Sequence, residues 1–254
     1  MRTDFSELLD GMQTISLDEM SAIRLMNRTD RKYLATEDQL LSLLQMVHSD
    51  YMVQEIGGKR YAAYHTTYLD NDQHVMYNLH HTGHLTRQKV RVRTYLDTDD
   101  TFFEIKLKNN HGRTTKKRIH IPSHDDMFSE ECSRFLAGTA MLPVSLEEMK
   151  KCVENRFERI TLVNNARTER LTIDTGLGFH NLETDDERQM DGLVVIEVKR
   201  DGNTYSPIVD MLRELRVFPS GFSKYCIGSA LTNPELKRNR FNLRIRKVNK
   251  LMRK

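Results

Sequence analysis

Arg87-Gln88-Lys89-Val90-Arg91-Val92-Arg93-Thr94-Tyr95 alternates basic and, for the most part, aliphatic residues. That alternation is the repeat of a β-strand, which sends successive side chains to opposite faces. Arg87, Lys89, Arg91 and Arg93 therefore share one face. After a polar turn at Asp97 to Thr101, the run from Phe102 to Lys108 places Glu104, Lys106 and Lys108 on one side and Phe103, Ile105 and Leu107 on the other. A third run, Thr114 to Ile121, puts Lys116, Arg118 and His120 together. Three consecutive strands with short turns predict an antiparallel meander, aliphatic on one face and crowded with cations on the other.

A charged sheet face is often merely solvated. Like charges stacked across neighbouring strands repel, however, and a solvated face would normally carry acids mixed evenly among the bases. Here acids are scarce. Glu104 sits in the phrase Glu104-Ile105-Lys106, which returns as Glu197-Val198-Lys199. Many cations with two isolated glutamates suit a polyanion bound together with a divalent metal. Lys and Arg neutralise phosphate oxygens, and Mg²⁺ or Mn²⁺ takes a carboxylate or two plus those same oxygens.

The chain of 254 residues is long enough for one sizeable core. Mean hydropathy of −0.61 and 38% hydrophobic residues describe a polar, soluble globule. Lys+Arg 39 against Asp+Glu 36 leaves a net charge of only +3, so a polyanion site must arise by local segregation of charge. Cys132, Cys152 and Cys226 are scattered and read as reduced packing residues. No signal-peptide core or transmembrane stretch is visible, and the expected location is cytoplasmic, at most held to a membrane by a separate membrane protein.

Ser16 and Glu19 form a capping box that starts a helix carrying Leu17, Met20, Ile23 and Met26. A strand from Asn27 to Leu34 follows, with Asp30 and Lys32 on one face. Thr36 and Gln39 open another helix with Leu40, Leu41, Leu43, Leu44 and Val47 on its buried side. Gly57-Gly58-Lys59 lacks the Ser or Thr of a phosphate-binding loop. Tyr61 to Leu69 reads as a strand, and Val75 to Tyr77 as a short helical piece. Beyond the meander we expect a helix from Ser123 to about Ala137 stopped by Gly138, and a strand over Lys151 to Val163. Two strands should be separated at Gly176-Leu177-Gly178. Another should run from Leu193 to Lys199, followed by helices at Ser206-Pro207, near Ser223 and at Asn233-Pro234. From Lys237 onward there is no acid. That basic tail suits an anionic partner or a solvated end. His80, His81 and His84 read as a polar loop rather than a zinc site. For Asp174 a strand-end turn role is the simpler reading.

In their order these features resemble the VTC domain, the polyphosphate-polymerase domain of the triphosphate tunnel metalloenzyme superfamily. The resemblance runs from Asn27 to Leu231. It rests on Asp30-Arg31-Lys32-Tyr33, Tyr68-Leu69-Asp70, Gly83, the Arg87 to Tyr95 strand, Glu104-Ile105-Lys106, Lys116 with Arg118, Arg159, Arg170 to Asp174, Ile196 to Lys199, and Phe222-Ser223-Lys224-Tyr225 with Gly228.

The resemblance implies an α+β fold: a closed antiparallel barrel of about eight strands whose lumen is a tunnel, with amphipathic helices outside. It implies one domain, with residues 27–231 as barrel and packed helices, 1–26 as an N-terminal helical segment and 237–254 as the basic tail. Lys32, Arg91, Arg93, Lys106, Arg170 and Glu197 would be the catalytic set. Arg87, Lys89, Lys108, Lys116, Arg118, Arg159, Lys199 and Lys224 would hold phosphates, with Arg156 an alternative to Arg159. Glu197, and Glu104 as a second carboxylate, would bind Mn²⁺ or Mg²⁺. The expected partners are ATP or another triphosphate and polyphosphate, with no specific nucleic acid. The expected reaction is transfer of the γ-phosphate of ATP to a growing polyphosphate chain. A metal-dependent triphosphatase and a non-catalytic polyanion receptor are the alternatives.

Overall fold

The computed structural model describes residues 3–23, 28–202 and 204–252. Eleven strands form one sheet: β1 Thr14–Ser16, β2 Arg28–Thr36, β3 Tyr51–Glu55, β4 Ala62–Asn71, β5 Arg87–Tyr95, β6 Asp100–Lys108, β7 Thr114–Ile121, β8 Met149–Asn164, β9 Glu169–Asn181, β10 Glu187–Gln189 and β11 Leu193–Asp201. The helices are α1 Thr3–Asp10, α2 Leu17–Ala22, α3 Glu37–Val47, α4 Val75–Thr82, α5 Glu130–Thr139, α6 Pro207–Glu214, α7 Lys224–Thr232 and α8 Asn242–Met252.

The meander forms as its alternation dictates. Arg91 stands opposite Glu104 between β5 and β6, and Glu104 opposite Arg118 between β6 and β7. Both expected capping boxes close, at Ser16 with Glu19 and at Thr36 with Gln39, each worth about 1 kcal/mol to its helix. The main strand path is β2-β11-β9-β8-β4-β5-β6-β7, with β1, β3 and β10 branching from it.

The path ends at β2 and β7, which do not pair, so the sheet curls without closing into the expected barrel. The outer edge of β2 is already taken. Ser220 donates its N–H to the Lys32 carbonyl at 2.7 Å, and Tyr33 bridges to Pro219. Proline has no N–H to offer a further strand. The facing edge, β7, is basic and almost entirely exposed, so like charges also oppose a seam there.

The sheet's convex side is packed twice. Over β8, β9 and β11, Leu162, Leu171, Ile173 and Ile196 meet Leu40, Leu43 and Leu44 of α3, Leu9 of α1 and Leu212 of α6 in one buried cluster. Over β5 and β6, Val90, Val92, Phe103 and Ile105 share a cluster with Cys132 and Leu136 of α5. Each such side chain contributes roughly 1.5–3 kcal/mol by leaving water. The concave side receives α7, where Tyr225 stacks on Tyr68 at 5.2 Å. A Cβ at Gly228 would fall 2.4 Å from the Phe179 ring, so only glycine lets the helix lie this close.

Several sequence expectations are corrected. The segment after Ser123 splits into a 3₁₀ turn, His124–Phe128, and α5, which starts from a second cap at Ser129 and runs through Gly138. β9 continues unbroken across Gly176, which takes φ +58 within the strand. The last helix begins at Asn242 rather than Asn233, and the basic tail is helical from Asn242 to Met252. α1, β1, β3 and β10 were not anticipated. Met26 and Asn27 lie outside the described residues.

Candidate active site

Alternation along the curled sheet turns one set of residues inward. Register carries that set across the strands: Lys32 beside Glu197, Glu197 beside Thr172, and Lys199 beside Arg170. Asp174 lies beside Arg159, Thr66 beside both Asn155 and Arg93, and Lys89 beside Lys106. The curl brings the far ends of this row together. Lys106 of β6 feels the charges of Lys32 on β2 and Glu197 on β11, although four strands lie between β6 and β11 along the path. Lys89 feels Lys32 in the same way. The concave space is therefore a cationic lumen.

Two of its acids are neutralised from within. Glu104 is fully buried; Arg91 Nε donates to its Oε2 at 2.8 Å and Lys116 Nζ to its Oε1 at 2.8 Å. Asp174 receives Arg159 Nε at 2.6 Å and Nη2 at 2.8 Å, and Lys224 as well. Burial opposes ionisation of both, but the cations outweigh it and hold both carboxyls well below the usual range. Glu104 thus has each oxygen engaged and fits a counter-ion of Arg91 and Lys116, not the expected second metal ligand. Asp174 is no turn former; it clamps two lumenal cations. Its signal in the sequence was only its parity with Arg170 and Thr172.

Glu197 differs. Its nearest ion-pair partner among the described residues is Lys199, at 4.0 Å. Burial raises its pKa, yet Lys32, Lys199, Lys106 and Arg159 hold it down at about 2, so it is ionised. Across the register from it, the buried Thr172 Oγ1 has no hydrogen-bond partner. Further along the same face, Asn155 is buried with neither side-chain amide atom bonded. An ionised carboxylate beside unsatisfied oxygen donors fits a hard divalent cation shared with phosphate oxygens. These side chains fit Mg²⁺ or Mn²⁺ at Glu197, with one protein carboxylate.

The cations without a carboxylate repel one another. Arg91, burial, Lys32 and Arg93 push Lys106 well below the lysine range. Burial, then Lys32, Arg87 and Arg91, bring Lys89 to about 8, and burial with Arg159 and Arg170 does the same to Lys199. Burial also drives Lys224 down despite Asp174. Arg93 is lowered to about 10 by burial and by Arg91; it bonds Thr66 and lies 5.2 Å from the Tyr64 ring. Two lumenal lysines are drawn to the start of α7: Lys32 donates to the Phe222 carbonyl at 3.0 Å and Lys89 to the capping Ser223 hydroxyl at 2.7 Å. The positive end of the helix dipole adds to them.

The other expected residues are more peripheral. Arg87 and Lys108 are half-buried and paired across β5 and β6. Arg118 is exposed and stacks over Phe102 at 4.1 Å. Arg170 is half-buried on the inner face of β9. Arg159 faces the lumen and Arg156 is exposed on the opposite face, which decides between them. The aromatic lining, with Tyr64 stacked on Phe157 at 5.0 Å, and the polar lining of Thr66, Asn155 and Thr172 were missed. His80 and His81 lie on α4 and not in the expected polar loop, and His81 bonds Asn239. Among the described residues, the metal-capable groups that do cluster are His65, His124 and Glu154, with His65 facing away from the lumen, and His74, Cys152 and Glu183.

No helix among the described residues is long and apolar enough to cross a membrane. None of the curated proteins compared with this chain matches it. Solved structures resemble it at low identity. A Vibrio parahaemolyticus protein, assigned as a candidate adenylate cyclase, has 9% identity and a TM-score of 0.46, covering 80% of this chain and 99% of its own. A Hippeastrum protein, described as having a dominant triphosphatase activity, has 13% identity and a TM-score of 0.49, covering 82% and 97%. A Pyrococcus horikoshii protein has 10% identity and a TM-score of 0.44, covering 80% and 98%. The sequence model of the VTC domain matches residues 27–233, most of the chain, and the protein belongs to the VTC domain family.

Proposed function

We propose that this protein is a metal-dependent phosphotransferase that moves the γ-phosphate of ATP to the end of a polyphosphate chain held in the same lumen. The observation that carries the reading is the excess of uncompensated cations. Lys32, Lys89, Arg93 and Lys106 form no ion pair with a carboxylate among the described residues, and two further pairs of cations flank Glu104 and Asp174. Folding such an array without an anion is unfavourable, as the depressed lysines record. One triphosphate does not use all of it, and a second phosphate chain in line with the first does.

The chain's residues would act by position and charge. Lys106, Arg91 and Arg93 would neutralise the equatorial oxygens of the transferring phosphoryl group. Lys32, Lys89 and the α7 N-terminus would hold one phosphate chain, and Arg159, Arg170, Lys199 and Lys224 the other. Glu197 would hold Mg²⁺ or Mn²⁺, which supplies charge neutralisation on the phosphate oxygens when bound. Transfer needs no protein nucleophile, because an ionised terminal phosphate oxygen attacks directly; catalysis is then largely alignment and electrostatic stabilisation.

One observation favours hydrolysis as a second reading. α7 lies inside the curl, with Gly228 against Phe179 and Tyr225 on Tyr68. A helix there narrows the space for an acceptor chain and leaves water as the nucleophile. Incubation with γ-labelled ATP, Mn²⁺ and a short polyphosphate primer separates the two. Label in chains that a polyphosphatase degrades supports transfer; label only in free phosphate overturns it in favour of a triphosphatase.

A further inference from the structure

We propose that the outer face of α8 is a second binding surface for condensed phosphate, continuous with the lumen, on which the part of a chain that outgrows the lumen rests. This deepens the reading above and depends on its ligand class. From Lys237 to Lys254 the sequence holds nine basic residues and no acidic one. Residues 237–252 fold onto the protein: Val248 is buried, and Ile245, Leu251 and Met252 pack against the core, which orients the rest of α8 outward. Arg246 and Lys250 are exposed one turn apart, a spacing at which like charges destabilise a helix. Among the described residues no carboxylate pairs with any cation of α8.

The path from lumen to α8 is one loop thick. Inside, Lys32 bonds the Phe222 carbonyl at 3.0 Å. Outside, Lys247 bonds the Phe218 carbonyl at 3.4 Å. Between them, a Cβ on Gly221 would stand 3.2 Å from Arg244 Nε, so glycine lets that guanidinium lie against the loop. The half-buried His80 registers the continuity, since it feels Lys89, Arg87, Arg244 and Lys32 at once. α7 occupies the inside of the curl, and a growing chain that follows positive potential passes over this loop. α8 then adds a cationic track of about 16 Å for its eleven residues.

The test compares two ligands on the full chain. Wild type and the double variant Arg246→Glu/Lys250→Glu are titrated with tripolyphosphate and with long-chain polyphosphate, and helix content is checked by circular dichroism. Reversing two exposed charges should weaken long-chain binding about tenfold, the effect of roughly 1.4 kcal/mol, and leave tripolyphosphate affinity unchanged. The neutral pair Arg246→Gln/Lys250→Gln should show a smaller loss in the same direction. Equal loss for both ligands, or no loss for the long chain, overturns the proposal while leaving the lumen intact as a binding site. If wild type binds neither ligand, the phosphotransferase reading itself falls. Anionic vesicles are the third arm: α8-dependent vesicle binding without a polyphosphate effect reassigns the surface to lipid.

Discussion

Binding of a triphosphate should draw protons into the protein from solution, and the lumen allows the amount to be worked out. Lys89 and Lys199 lie at about 8 in the free protein, against about 10.4 for an unperturbed lysine. At pH 8 each is half protonated, so a ligand that restores ordinary lysine behaviour takes up about one proton through this pair alone. Lys106 and Lys224 are also held well below the lysine range, so their protonation adds to this uptake. Isothermal titration of tripolyphosphate at pH 8, in two buffers of different ionisation enthalpy, measures this number directly. Lys89→Met should reduce it by about half a proton. The sign on stability follows from the same groups. The unfolded chain keeps these lysine protons to about pH 10.4, whereas the folded chain releases them from about 8. Stability of the ligand-free protein therefore rises between roughly pH 8 and 10. Buffer-independent enthalpy at pH 8 would show that these lysines are not crowded, and the cationic lumen would lose its electrostatic basis.

Lys106→Met should raise the melting temperature of the free protein while cutting triphosphate affinity at least about tenfold, since the residue is repelled by Arg91, Lys32 and Arg93; a lower melting temperature would contradict the crowding. Arg91→Ala should instead destabilise by roughly 3–5 kcal/mol, because it strips a partner from the buried Glu104, and chemical denaturation reads this. Glu197→Gln should keep triphosphate binding but lower turnover by several kcal/mol in barrier; full activity, or full activity in excess chelator, refutes the metal assignment. Gly228→Ala should shift α7 off Phe179 and lower both stability and phosphate affinity, because Lys224 and Ser223 start that helix; unchanged affinity would detach α7 from the site.

The alternation from Arg87 to Ile121 by itself determined the meander and the parity of its cations, because a strand's two-residue repeat is local. Capping boxes at Ser16 and Thr36 and the cap at Ser223 were equally local and formed where the sequence put them. Glu104 and Glu197, by contrast, look alike in sequence, each two residues before a lysine. Only the tertiary structure separates them. Glu104 falls opposite Arg91 and within reach of Lys116, so both its oxygens are taken, while Glu197 stands beside Thr172 and Lys32 with its carboxylate open to a ligand. Asp174, unremarkable in the chain, becomes a clamp because Arg159 and Lys224, 15 and 50 residues away in sequence, converge on it. Closure of the sheet was likewise beyond local pattern. Whether β2 meets β7 depends on what occupies the β2 edge, and Pro219 and Ser220 reach it from a segment nearly 190 residues further along the chain. Parity is written in neighbouring residues; charge balance inside a lumen is set by strands that meet only when the sheet curls.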